Sequence, residues 1–153
     1  MSSSNPRLHT ALIGCSAAHK KCSMREFQKL DLTTGQPKVL SILSQKEGYL
    51  QKDLAVRCHV EPATMTSILN NMLDKKLIYK KKESVSGGKR AYSIYLTEKG
   101  HEMAQKVNQI VDDIEVISYQ SFREDEKQLL IHLLNRIQTN LEEKRLREDV
   151  ISL

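Results

Sequence analysis

Apolar side chains recur with helical spacing at both ends of this chain and alternate as in a strand only in one short central stretch. Across residues 7–29, Leu8, Cys15 and Cys22 fall every seventh position, with Ala11 and Ala18 between them and Phe27 beyond, which predicts a helix with one narrow apolar face. A second helix is expected after Leu32-Thr33-Thr34-Gly35-Gln36-Pro37, running through Val39, Leu40, Ile42 and Leu43 to about Lys46 and ended by Gly48. Thr34 is the expected cap, which puts Pro37 at the third helical position, where its missing N–H leaves no intrahelical bond unmade. Gln51 to Arg57 predict a short third helix, and Pro62, well suited to a first turn, opens a fourth that ends near Lys75.

Leu77-Ile78-Tyr79 and Tyr92-Ser93-Ile94-Tyr95-Leu96 are rich in strand-forming residues, and Ser84 to Lys89 between them include Gly87-Gly88, so a hairpin is predicted. Tyr92, Ile94 and Leu96 are expected on its inward face, with Ser93 and Tyr95 on the other. Thr97 opens a long helix carrying Val107, Ile110, Val111, Ile114 and Ile117 and stopping near Ser118. Ser121-Phe122-Arg123-Glu124 fits a capping box for a last helix striped with Leu129, Leu130, Leu133, Leu134, Ile137 and Leu141. The class is mainly α (α+β): four helices, a hairpin and two long helices.

The third and fourth helices meet the requirements of a helix-turn-helix. Ala55 is small enough for a close crossing, Met65 and Ile68 anchor the second helix, and His59 takes the turn position, where histidine is among the side chains enriched at positive φ. If Met65, Ile68, Leu69 and Met72 face inward, then Pro62, Ala63, Thr66, Ser67 and Asn70 face outward, with Thr64 and Asn71 at the flanks. That face is small and polar. Hydroxyls and amides of this size can hydrogen-bond base edges and phosphates while the helix sits deep in a major groove, and asparagine can pair two-fold with adenine.

Charge sharpens the picture. The window Lys75–Arg90 holds seven basic residues against one acid, a local net of +6 in a chain whose total is +5. An excess confined to 16 consecutive residues suggests a polyanion-binding surface rather than general solubility. Lys80, Lys81, Lys82, Lys89 and Arg90 flank the hairpin tip, from which they can reach phosphates or a minor groove beside a helix-turn-helix.

The order of elements resembles the MarR family of bacterial winged-helix transcription regulators over nearly the whole chain. The resemblance rests on Leu32-Thr33-Thr34-Gly35-Gln36, on Asp53-Leu54-Ala55 with Pro62-Ala63-Thr64-Met65-Thr66, on Leu77-Ile78-Tyr79-Lys80, and on Lys89-Arg90 with Leu96-Thr97-Glu98-Lys99-Gly100. Two positions depart from the family pattern: Gly88 stands where an aspartate usually precedes the residue matching Arg90 by two, and Lys76 replaces the glycine before Leu77. The resemblance implies an N-terminal dimerisation helix (1–31), a winged helix-turn-helix DNA-binding lobe (32–96) and C-terminal dimerisation helices (97–153). It further implies a homodimer on a palindromic operator of double-stranded DNA, a repressor, and release by a small phenolic or apolar effector. The apolar stripe of the last helices supports a dimer independently, since a small core could not cover it and two-fold pairing is the commonest closure. The DNA-binding residues expected are Pro62, Ala63, Thr64, Thr66, Ser67, Asn70, Asn71, Lys80, Lys82, Lys89 and Arg90.

Cys15 and Cys22 invite a redox alternative, because several members of that family sense oxidants through a cysteine in the first helix. Seven residues along one helix separate them by about 10.5 Å, beyond the roughly 7 Å a disulfide spans, and both lie on the apolar face expected to pack. The three cysteines show no metal or Cys-x-x-Cys spacing, and the five histidines contain no His-x-x-x-His pair, so no metal or cofactor is expected. No catalytic motif points to an enzyme. A basic RNA-binding or interaction protein would use the same lysines without a base-reading helix. No run of roughly 20 apolar residues and no secretion signal are present, so a cytoplasmic protein with no membrane partner is expected.

Overall fold

The computed structural model of the chain describes residues 5–84, 87–88 and 90–152. In order these form α1 (Leu8–Gln28), α2 (Gln36–Gln45), β1 (Tyr49–Leu50), α3 (Gln51–Arg57), α4 (Pro62–Asp74), β2 (Ile78–Ser84), β3 (Arg90–Leu96), α5 (Glu98–Ser118) and α6 (Glu124–Ile151). The fold is mainly α, with a winged helix-turn-helix at its centre. Residues up to Ile114 make one compact unit, and those from Glu115 onward a second.

The core of the first unit gathers one face from each element. Val39, Leu40 and Leu43 of α2 pack with Leu54 and Ala55 of α3, Met65, Leu69 and Met72 of α4, Ile78, Ile94 and Leu96 of the sheet, and Ala104 and Val107 of α5. The inward face predicted for α4 is therefore the buried one, Met65, Ile68, Leu69 and Met72. The sheet is antiparallel in the order β1-β3-β2. β1 is a two-residue bridge (Tyr49 opposite Ile94, Leu50 opposite Ser93) that no sequence pattern announces.

Several local expectations are corrected. Thr34 does not cap α2: Gly35, at φ +90°, takes that place, so the helix starts at Gln36 with Pro37 second. A Cβ on Gly35 would collide with Ile68 Cδ1, and the Gln36 side chain reaches back to accept the Thr33 N–H at 3.1 Å. Gly48 does not end α2, which stops at Gln45; it enters the sheet, its N–H donating to the Ile94 carbonyl at 2.9 Å. The capping box expected at Ser121 shifts two residues, with the Arg123 N–H donating to Glu126 Oε1 at 2.9 Å ahead of α6.

The strands are longer than predicted; Tyr92 shares the face of Ile94 and Leu96 as expected, but burial at the tip does not follow that sidedness. Tyr92 is exposed and Ser93 fully buried. β3 is the central strand, so Ser93 is covered between Leu50 and Lys81, whereas Tyr92, opposite Lys82, lies where the ribbon has outrun the core.

In α1 the packed face is Ser23 and Phe27, not the heptad stripe: Leu8, Ala11, Cys15, Ala18 and Cys22 are exposed. The two faces are offset because Cys22 precedes Ser23 by one residue, about 100° around the helix. α6 has no buried residue, and Leu129, Leu130, Leu133, Leu134 and Leu141 are exposed along it.

A candidate nucleic-acid interface

Three helices end in the same way. The chain leaves α1, α3 and α4 through a residue at positive φ, namely Asp31 (57°), His59 (53°) and Lys76 (58°). The next N–H bonds back five residues in each case: Leu32 to Phe27, Val60 to Ala55, Leu77 to Met72. This is the hydrogen-bond pattern of a Schellman cap, usually built with glycine. His59 therefore makes the turn of the helix pair as its sequence position predicts, and Lys76 makes a sharp turn without glycine. Behind Lys76, Thr97 Oγ1 donates to its carbonyl at 2.6 Å and accepts the Gly100 N–H at 3.0 Å. A Cβ on Gly100 would meet the Leu77 carbonyl, and Lys99 Nζ donates to the Lys75 carbonyl at 2.9 Å. The Thr97-to-Gly100 stretch thus holds the joint between α4 and the wing.

On α4, Pro62, Ala63, Thr64, Thr66, Ser67, Asn70 and Asn71 are all exposed. Their freedom to bond differs. Thr66 Oγ1 donates to the Pro62 carbonyl at 3.1 Å and accepts from Gln51 Nε2 at 2.9 Å. Ser67 Oγ donates to the Ala63 carbonyl at 3.4 Å. Asn71 Oδ1 accepts from Gln36 Nε2 at 2.6 Å. Gln36 is only 1% exposed, and its Oε1 also accepts from Lys75 Nζ at 3.2 Å. Lys75 in turn donates to the Asp31 carbonyl. The start of α2 is thereby bolted to the second half of α4.

Pairing register sorts the wing cations. Lys80 faces Ile94, Lys82 faces Tyr92 and Ser84 faces Arg90, so Lys80, Lys82 and Arg90 share the face whose inner end is the buried Ile78, Ile94 and Leu96. Lys80 is half-buried, donates to Gln51 Oε1 at 3.3 Å and lies 5.6 Å from the Tyr92 ring centre. Lys81 is on the opposite face, over the stacked pair Tyr79 and Tyr95, at 4.7 Å from the Tyr95 ring. Lys89 lies outside the described residues. Gln51, which sequence reasoning treats only as a helix start, bridges the two halves of the candidate surface: its amide nitrogen bonds Thr66 and its oxygen bonds Lys80.

Beside this surface is a groove of about 540 Å³ between α1, α2, the α3–α4 turn and α5. Met24, Phe27, Ile42, Val111 and Ile114 give it an apolar wall, and His19, Lys20, Lys38, Arg57 and His59 a basic rim; none of its described lining residues is acidic. Cys58 also lines it and is buried, which pushes its thiol pKa up despite the nearby Lys38 charge. Cys15 and Cys22 are exposed, contrary to the packing expected of them. Among the described residues no group of three or more His, Cys, Asp or Glu is placed to hold a metal, and no helix is long and apolar enough to cross a membrane.

A helix pair with a basic two-stranded wing defines the winged helix-turn-helix class. Residues 32–86 match the model of the MarR family. No curated protein matches the chain. Among solved structures, a MarR family transcriptional regulator from Listeria monocytogenes complexed with 26mer DNA superposes with a TM-score of 0.82 at 21% identity, over 92% of each chain. The S. aureus MepR–DNA complex gives 0.79 at 22% identity, covering 89% of this chain and 99% of that one. NadR in complex with 4-hydroxyphenylacetate gives 0.73 at 19% identity, covering 90% and 96%. The common fold thus extends well beyond the matched segment.

Proposed function

We propose that this chain is a transcription regulator, not an enzyme, that binds a palindromic site on double-stranded DNA as a homodimer in the cytoplasm and releases it when a small ligand enters the groove beside α2. The observation that carries this reading is the two-sidedness of α4. Its inner face is sealed in the core, while its outer face offers short polar side chains slim enough for a major groove, next to Lys80, Lys82 and Arg90 on one side of the wing. The two structurally similar proteins solved with DNA support it. Dimer formation is supported by the row of exposed leucines along α6, a larger apolar surface than a monomer usually leaves in water. On this reading the protein is a repressor, and ligand binding frees its site.

The groove, with apolar walls and basic rim, suits a phenolic or other largely apolar molecule that carries an anionic group. NadR, similar in fold, is solved with such a molecule. The exposure of Cys15 and Cys22 favours one second reading of the signal, oxidation of these thiols, which predicts loss of DNA binding on peroxide treatment. The test is selection of bound fragments from genomic DNA by the purified protein. The selected duplex is then compared with a scrambled duplex and with RNA of the same sequence at one salt concentration. Binding at least a hundredfold tighter to the selected duplex is expected; equal affinity for all three contradicts the proposal.

A further inference from the structure

The hydrogen bonds already made on the outer face of α4 restrict which of its side chains can read a base. Thr66 spends its only proton on the Pro62 carbonyl and one lone pair on Gln51. Ser67 spends its proton on the Ala63 carbonyl. Asn71 gives its oxygen to the buried Gln36. Pro62 and Ala63 have no polar side-chain atom. At about 100° per residue, Thr64 lies about 90° from the direction opposite the buried residues, and Asn70 about 30° from it. Asp74 lies nearer that direction, but it is the last residue of the helix and carries a charge that phosphates repel. Among the described residues no hydrogen bond engages the Asn70 carboxamide, which leaves it the one side chain near the outer pole with both a donor and an acceptor uncommitted.

We propose that Asn70 is the residue of α4 that sets base preference, by pairing its amide N–H and carbonyl oxygen with the N7 and N6 edge of one adenine in each half-site. Thr66, Ser67 and Asn71 are then not readers. They stiffen the helix and fix it to α2, to Gln51 and, through Gln51, to Lys80 of the wing. The division of labour rests on the DNA-binding reading above, and it assigns base reading by α4 to a single side chain.

The experiment uses the full-length protein and a panel of duplexes in which each base pair of the selected site is replaced in turn, at fixed salt. Wild type should show one A·T position per half-site whose replacement weakens binding roughly 5- to 150-fold. N70A should lose that penalty while keeping the others, with its salt slope unchanged. N70D should move the preference at that position from adenine toward cytosine, whose amino group a carboxylate accepts. T66A should weaken binding to every duplex alike and leave base preferences intact. Asn70 is exposed and alanine is the better helix former, so N70A keeps the fold. If N70A retains every single-position penalty while wild type still discriminates its site, Asn70 is not the reader and the regulatory proposal stands. If wild type itself prefers no duplex over random sequence, both proposals fail.

Discussion

Replacing Gln36 with leucine removes the polar hub that fixes α4 to the start of α2 while keeping most of the side-chain volume. Three hydrogen bonds disappear: from the Thr33 N–H (3.1 Å), to Asn71 Oδ1 (2.6 Å) and from Lys75 Nζ (3.2 Å). Thr33 and Asn71 are exposed and can recruit water, and Lys75 keeps its bond to the Asp31 carbonyl. Each bond is therefore set at the ordinary net value of about 0.5–1.5 kcal/mol rather than at the full cost of a stranded buried group. The sum is about 1.5–4.5 kcal/mol, centred near 3 and lessened by the added apolar burial, so a net loss of about 2 kcal/mol is expected. That is a drop of about 4–8 °C in Tm for a chain of this size. Urea unfolding at fixed protein concentration measures it, since the midpoint of a dimer depends on concentration. A cycle with Asn71→Ala should show a coupling of about 0.5–1.5 kcal/mol. A loss below about 0.5 kcal/mol with no coupling would refute the idea that Gln36 holds α4 in place.

Three further outcomes are expected. Lys80→Ala, Lys82→Ala and Arg90→Ala should each lower the slope of log affinity against log salt by about 0.9 for every phosphate left unneutralised, whereas Lys81→Ala, on the opposite face over Tyr95, should leave it unchanged; an equal effect from Lys81 contradicts the sidedness assigned to the wing. Lys76→Gly should raise stability by about 0.5–1 kcal/mol, because a left-handed lysine costs more than glycine's extra chain entropy, and a lowered Tm would refute this. Cys58 is held protonated by burial, so its folded pKa lies above its unfolded one. The stabilisation it gives is complete below the ordinary thiol range, about 8.5, and is lost as pH rises through the folded value. Wild type should therefore lose more stability between pH 7 and pH 10 than Cys58→Ala does, as urea unfolding at the two values would reveal.

The parts of this fold that a sequence announces are those decided by near neighbours. Met65, Ile68, Leu69 and Met72 define the buried side of α4 by spacing alone, Pro62 marks its first residue, and His59 marks its turn. The long reach of the wing is less visible, since Lys80 to Ser84 have no apolar alternation and become a strand only through pairing with Arg90 to Ile94. Local motifs also mislead where a tertiary contact competes. Thr34 has the chemistry of a cap, but close packing of Gly35 against Ile68 moves the helix start past it. The heptad of α1 is a real stripe, yet it is not the side that meets the core. In the candidate interface the exposed residues follow from helical geometry, but their availability does not. Gln51 lies 15 residues from Thr66 and Gln36 lies 35 from Asn71, and neither separation carries a sequence signal.

The central claim is that the outer side of α4 and one side of the wing meet duplex DNA. Lysine acylation read by mass spectrometry, with and without the selected duplex, tests it most directly. Lys80 and Lys82 should be shielded by the duplex, while the exposed Lys106 of α5 reacts equally in both samples. Shielding of Lys106 with Lys80 and Lys82 left reactive would contradict the account.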